Sequence, residues 1–446
     1  MNRRFFVTSL AAAPAGLRAA EAAPRRRAPL ANEYTVVYES QDPKNRVAYS
    51  PGLALLPSGR LIATMDQGVW IDGKRIEMAG GIPADRSRWL GKVFLSDDRG
   101  RTWKHSTDTP MCHARPFAAG KSVYVLGHST DLVIVRSDDG GSTFSAPAQL
   151  THGQSWHQAP CNVWYTRGRV YLVMERITDP SFRGWTVSVL APILMSAPVD
   201  ADLTRLESWT FSDALSYRDA VAQAGPAHLI GAPFFPAGDL TPGQPDKRNN
   251  APMGWLETNI VQFRDPNHVW HHPDGRIFHL WMRAHTGSTN LACIAKAVES
   301  EDRKTIEVSL EKAPSGEPML YVPCPGGHLK FHILRDEKTR LFWLLSSQST
   351  DSMTRPDRLP PDRYGLPNNE RHRLALHFSK NCVDWCFAGL VADSGRPGQS
   401  RNYASMVING EDLHVLSRSG DARARSAHDG NLITFHTVRN FRDLVY

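Results

Sequence analysis

Nowhere does the chain hold an apolar run approaching the ~20 residues of a membrane-spanning helix. A helical membrane span is therefore excluded. Its six cysteines, Cys112, Cys161, Cys293, Cys324, Cys382 and Cys386, include no CxxC and no metal-ligand pairing. That argues against a cysteine-built metal site and for reduced, buried thiols, with Cys382 and Cys386 the one sequence-near pair able to oxidise after export. No basic stripe interleaved with aromatics occurs, and a formal charge of +7 over 446 residues is modest. Nucleic acid is thus not an expected partner, whereas a cationic face suits an anionic glycan. Long helical periodicity is missing too, and 33 glycines, 31 prolines and 12 tryptophans fit one turn-rich, all-β domain.

What is present is repetition. Ser96-Asp97-Asp98-Arg99-Gly100-Arg101-Thr102-Trp103 recurs as Ser137-Asp138-Asp139-Gly140-Gly141-Ser142-Thr143-Phe144, both reading S-x-D-x-G-x-T-aromatic. The spacing describes a tight hairpin in which the carboxylate accepts turn amides, glycine supplies a positive φ and the aromatic packs between sheets. Ser96, Asp98, Gly100, Trp103, Ser137, Asp139, Gly141 and Phe144 are accordingly read as structural. Both copies resemble the Asp-box of sialidase-type propellers, and Ser379 to Trp385 is a degenerate third copy. A second periodic element is a turn followed by alternating apolar residues, centred on Gly59, Gly120, Gly168, Gly275, Lys338 and Gly410. Its spacing of roughly 50 to 70 residues matches one four-stranded antiparallel blade, and the wider gap from Gly168 to Gly275 holds an insertion or a further blade. The expected fold is an all-β, sialidase-like β-propeller of six or seven blades.

Asn2-Arg3-Arg4-Phe5-Phe6-Val7 resembles the twin-arginine export motif, and Ala20-Glu21-Ala22 fits a small-x-small cleavage site. The expected organisation is a signal peptide over 1–23, a basic linker over 24–33 and one propeller over 34–446, in a bacterial protein that is periplasmic or extracellular. A monomer without cofactor is expected. His268, His271 and His272 crowd one segment, but no acidic or cysteine partner lies at a zinc-binding spacing, so a solvated or glycan-facing loop is the preferred reading.

Further segments carry a wider resemblance. Trp255-Leu256-Glu257-Thr258-Asn259, Pro325-Gly326-Gly327-His328-Leu329-Lys330-Phe331, Ser196-Ala197-Pro198 through Trp209, Asn369 to Leu376, and Ser417-Arg418-Ser419 with His428-Asp429-Gly430-Asn431 are similar to strands of secreted propellers in the sialidase superfamily. The resemblance covers nearly the whole mature chain. It points to the branch that includes lyases of ulvan and of rhamnose-glucuronate linkages.

A glutamate flanked by apolar side chains is either a buried partner of an arginine or an acid whose pKa is raised for catalysis, and Glu257 fits both descriptions. The resemblance implies Glu257, His113 and His157 as catalytic candidates. It implies Asn259, Arg283, His328, Lys330, Arg373, Arg418, His428 and Asp429 as the substrate-binding set, the arginines suiting a uronic or sialic carboxylate. Two departures stand out. Tyr49-Ser50-Pro51 replaces the early Arg-Ile-Pro of sialidases, and the lyase branch's Tyr-His pair and strand arginine read here as Trp156-His157 and Leu172. Three functions follow: a hydrolase cleaving glycosidic bonds in an acidic oligo- or polysaccharide, a polysaccharide lyase acting by β-elimination, and a non-catalytic glycan-binding propeller.

Overall fold

The computed structural model describes residues 28–76, 81–183, 185–225, 254–285, 290–350, 370–396 and 398–446. Among the described residues, six antiparallel sheets of four or five strands follow one another around an axis, beside one two-stranded sheet, Glu311–Lys312 with Pro318–Met319. Blade I comprises Arg46–Leu55, Leu61–Ile71, Gly91–Ser96 and Lys104–Thr109, and blade II comprises Cys112–Ala119, Ser122–Ser129, Asp131–Ser137 and Ala148–Gln149. In blade III, Trp156–His157 and Trp164–Thr166 share the innermost place beside Arg169–Ile177, Leu190–Pro198 and Thr210–Phe211. Blade IV is Gly254–Val261, Ile277–His285, Leu291–Glu299 and Ile306–Ser309; blade V is His332–Arg335, Phe342–Ser347, Arg373–Ser379 and Cys386–Asp393. Blade VI takes Ser400–Asn409, Asp412–Gly420 and Leu432–Val438 from the C-terminus and its outer strand, Thr35–Glu39, from the N-terminus. This last pairing closes the ring and leaves the final blade no unpaired strand there.

The six turn motifs of the sequence are the six hairpins between first and second strands, one per blade, so the seven-blade alternative falls away. The wide gap after Gly168 contains the rest of blade III and a short helix, Tyr217–Ala224, N-capped by Ser216. Its further residues, 226–253, lie outside the described residues, as does the export segment. Leu30 and Ala31, expected in a linker, donate backbone hydrogen bonds to Leu390 and Val391 (2.7 and 2.8 Å). The chain thereby covers the outer strand of blade V before it enters blade VI.

The core lies between neighbouring blades. Leu61, Ala63 and Phe94 of blade I pack on Leu416, Ile433 and Phe435 of blade VI, and Phe117, Tyr124 and Leu126 of blade II pack on Leu172, Met174 and Ile193 of blade III. Burying both faces explains why strands such as Leu190–Pro198 read as continuous apolar runs.

Both Ser-x-Asp hairpins join a third strand to a fourth, and their geometry is nearly identical. Gly100 and Gly141 donate their amides to Ser96 and Ser137 Oγ (2.9 and 2.8 Å), while Thr102 and Thr143 donate theirs to Asp98 and Asp139 Oδ1 (both 2.9 Å). The glycines have φ of 85° and 90°, and Trp103 meets Phe435 of blade VI edge-on at 5.4 Å. The degenerate copy makes a shorter turn, in which Asn381 Oδ1 accepts the amides of Val383 and Asp384 (2.9 and 2.8 Å). A fourth turn of this kind escapes the sequence pattern: Ser300 donates to Asp302 (2.7 Å), which accepts the Lys304 amide (3.2 Å), with Arg303 at φ 60° in the place that Arg99 (63°) holds in the first hairpin and Lys304 in place of the glycine.

Candidate functional site

Because the strands of each blade alternate in direction, first-to-second and third-to-fourth turns share one rim. Starts of the innermost strands and the turns after second strands share the other. On that second rim opens a cavity of about 250 Å³.

Four innermost strands break register as they reach it, between Tyr49 and Gly52, Cys112 and Arg115, Leu256 and Asn259, and Asn402 and Ser405. The first residue of each bulge is non-glycine and left-handed: Ser50 (φ 45°), His113 (54°), Glu257 (62°) and Tyr403 (53°). All four line the cavity. A bulge of this kind re-aims a side chain, and the strained backbone persists only where its surroundings over-determine it. Here the Thr258 amide and hydroxyl both donate to buried Glu175 (3.0 and 2.9 Å), the His113 amide donates to Asp66 (2.8 Å), and Ser405 Oγ donates to the Pro51 carbonyl (2.8 Å).

Two bulges meet in a hydrogen bond. Tyr403 donates its hydroxyl to Glu257 Oε1, while Arg283 Nη1 lies 3.4 Å from Glu257 Oε2 and 3.1 Å from the Tyr403 hydroxyl. Burial, reinforced by the Glu257 charge, raises the Tyr403 pKa, so the phenol stays protonated in the resting site. Arg418 stacks at 4.5 Å on Tyr49 and 4.8 Å on Tyr403 and donates to the His428 carbonyl (2.9 Å). Tyr49 donates to Asp429, which also bonds His428 (2.7 Å). Burial pushes the Tyr49 hydroxyl up to about 12 and the His428 imidazole down to about 3.

The opposite wall holds three imidazoles. His113 Nδ1 lies 2.8 Å from His128 Nε2, and the His113 and His157 rings meet edge-on at 4.9 Å. His157 bonds Glu175 (3.3 Å) and faces exposed Trp185. Burial, followed by mutual repulsion, lowers His113 well below the imidazole range and His128 to about 3. Both are neutral. Burial raises Asp66 to about 7 against the hydrogen bonds of His113 and Ser50, and its Oδ2 lies 4.0 Å from His113 Nε2. Among the described residues no group of His, Cys, Asp or Glu could hold a metal ion.

Of the residues singled out from the sequence, Glu257, His113, His157, Arg418 and His428 line this cavity, with Arg283 and Asp429 directly behind. Four others do not. Asn259 is fully buried and ties blade IV to blade V through the Phe331 carbonyl and Ile333 amide (3.1 and 3.0 Å). Lys330 is buried and donates to the Ala404 carbonyl (2.6 Å), His328 is buried behind Arg283, and Arg373 lies on blade V beside Asp393 (3.8 Å). Alternation along a strand says which residues share a face. It does not say that this face is turned into the axis. His268 stacks on Phe263 with ring centroids 3.8 Å apart, away from the cavity. Among the described residues no cysteine forms a disulfide.

Tyr403, Asp66, Tyr49, His128 and Arg75 complete the cavity and were not singled out. Tyr403 alone had a signal, since Arg-Asn-Tyr-Ala opens a strand with two polar residues and an aromatic.

No protein-family model and no curated protein matches the chain. Solved structures do. The NanB sialidase of Streptococcus pneumoniae aligns at 11% identity and a TM-score of 0.50, over 93% of this chain and 71% of that one. A Hadza microbial sialidase aligns at 14% and 0.50, over 91% and 68%. A protein of unknown function from Dyadobacter fermentans aligns at 11% and 0.50, over 91% and 97%. Identities this low speak for architecture alone: the chain is a sialidase-like, six-bladed β-propeller.

Proposed function

We propose that the protein is a glycoside hydrolase acting on an acidic glycan, with Tyr403 as nucleophile and Glu257 as its base. The observation that carries this reading is the Tyr403–Glu257 hydrogen bond inside the cavity, backed by Arg283. A phenol is a poor nucleophile until an adjacent base takes its proton, and Glu257 stands at that position. A neutral nucleophile also suits a substrate carrying a carboxylate beside the reacting carbon, where an attacking Asp or Glu would be repelled. Arg418 and Arg75 would receive that carboxylate. Asp66, kept protonated up to about pH 7, would donate a proton to the leaving oxygen and take it back from the water that releases the sugar. His113 and His157, neutral or hydrogen-bonded to Glu175, would position hydroxyl groups.

The histidine wall favours a second reading, a lyase in which His113 or His157 removes the proton beside a uronate. Leu172, where that branch has an arginine, is fully buried in the core and cannot neutralise the carboxylate. One purified protein and a set of acidic oligosaccharides separate the readings. Reducing ends without new ultraviolet absorbance support the hydrolase, absorbance from unsaturated products supports the lyase, and binding without either supports a glycan-binding propeller. Export by the twin-arginine route belongs to the same proposal: Arg3→Lys together with Arg4→Lys should leave precursor in the cytoplasm, and unchanged export would reject it.

A further inference from the structure

The hairpin rim, opposite the cavity, carries a larger opening. Between blades VI and I runs a groove of about 790 Å³, lined by the chain entering blade VI (28–35), by the first Ser-x-Asp hairpin and by the end of the third strand of blade VI. Three arginines, Arg99, Arg101 and Arg439, line it against a single carboxylate, Glu33, and all four are exposed. Among the described residues neither Arg99 nor Arg439 makes a hydrogen bond or ion pair through its side chain, and Arg101 uses only its Nε, on the Asp98 carbonyl (3.0 Å). The carboxylates beside them in the hairpin are committed: Asp97 to Arg60 (2.6 Å), Asp98 to Thr102 and Ser96.

Pairing is met elsewhere on this rim. Arg60, Arg136, Arg264 and Arg442 each reach a carboxylate at 2.6–2.9 Å. In the groove, like charges share a concave surface instead, where they repel one another and focus a positive field on whatever enters. The groove also holds an aromatic ring. Tyr34, 43% exposed, has Arg401 stacked on it at 4.8 Å and the His436 ring at 5.6 Å. A ring held in this way is an apolar platform that loses little freedom when a ligand packs on it. Arginine forks beside a fixed aromatic suit a ligand that repeats carboxylates along apolar-faced rings, which describes a chain of uronate sugars. Arg25-Arg26-Arg27, directly before Ala28, carry the same sign as the groove and so are not its occupant.

We infer that the groove between blades VI and I binds a strand of acidic polysaccharide, with Arg99, Arg101 and Arg439 on its carboxylates and Tyr34 against a sugar ring. A blade strand of eight residues is roughly 25 Å long, so a sugar seated here is on the far side of the molecule from the cavity and is not the one cleaved. The groove keeps the protein on the polymer and thereby raises the local concentration of cleavable bonds. The choice of an acidic glycan rests on the reading of the cavity; the groove as an anion-binding surface does not.

Binding of the whole protein to immobilised polygalacturonate tests this, with dextran as the uncharged control and duplex DNA as a second polyanion. The unaltered protein should bind polygalacturonate and not dextran. Arg99→Ser, Arg101→Ser and Arg439→Ser together should weaken binding about 10-fold or more, while Arg88→Ser, Arg205→Ser and Arg396→Ser, which remove the same charge from exposed positions outside the groove, should change it by less than about 3-fold. Tyr34→Ala, which alters no charge, should weaken it about 3-fold. Equal losses from the two triple variants would leave net charge as the cause, no binding by the unaltered protein would leave no site, and duplex DNA held as tightly as polygalacturonate would leave a general polyanion surface; each overturns the inference. Turnover keeps the two readings apart. On a short acidic oligosaccharide the groove variant should match the unaltered protein, and if neither cleaves it, the cavity reading fails while the binding result still decides the groove.

Discussion

The two rims of the propeller put the same strained conformation to different uses. At the hairpin rim, Arg99, Gly100, Gly140 and Gly141 have positive φ, and at the cavity rim so do Ser50, His113, Glu257 and Tyr403. In the hairpins the geometry is secured locally, by Ser and Asp side chains that accept amides within four residues. The bulges are secured from a distance: Glu175 of blade III holds blade IV, Asp66 of blade I holds blade II, and Ser405 of blade VI holds blade I. Local support makes a motif that can be repeated. Support from other blades leaves the strained residue free to be whatever the site needs.

The largest expected effect falls on the cavity rim. Glu257→Gln and Tyr403→Phe should each lower kcat by ~10²-fold or more in a glycosidase assay. Normal turnover by either would mean that the strained pair is structural, and would erase the contrast between rims.

Asp66 sharpens it through pH. As the proton donor it must be protonated, so kcat/KM should fall as pH rises through about 7, the value to which burial raises it, and Asp66→Asn should remove that limb and about 10-fold or more of the rate. Stability follows with the same sign. Its folded pKa lies above the ordinary carboxyl value of 3.8, so its contribution is complete below about 4 and lost by about 7. A pH profile that Asp66→Asn leaves unchanged would rule out the role.

At the hairpin rim the effects should be thermal. Gly100→Ala places a Cβ 2.0 Å from the Phe435 ring at φ +85° and should lower the Tm by roughly 3–5 °C. Gly141→Ala, whose Cβ would stand 3.0 Å from a Leu95 methyl that can move, should cost less. Differential scanning calorimetry orders the two.

Smallest is Asp98→Ala or Asp139→Ala, with a Tm lower by about 1–3 °C and unchanged specific activity of the folded fraction. Their carboxyls are held below the usual range, Asp98 at about 2, first by the hydroxyls of Thr102 and Thr143 and then by those residues' amides. Turnover lost without stability would place these aspartates against substrate and invert the comparison.

Much of this was legible in one dimension. Gly100 and Gly141 follow Asp98 and Asp139 by a fixed two residues because the hairpin closes within eight, and the six turns recur because each blade is a local meander, so the propeller and its structural rim are written in spacing. Glu257 and Arg418 were legible as polar residues in apolar strands, and His113 through the family resemblance. Their neighbours were not. Tyr403 lies 146 residues from Glu257, and Asp66 lies 47 from His113. Asn259 shares the pattern of the cavity residues and still points into the packed axis, because a bulge shifts the side-chain alternation by one residue and no local signal marks where it falls. The sequence by itself determined blade, hairpin and turn, which depend on contacts a few residues apart. Only the closed ring decided which strand starts converge, because that requires six blades to pack around one axis.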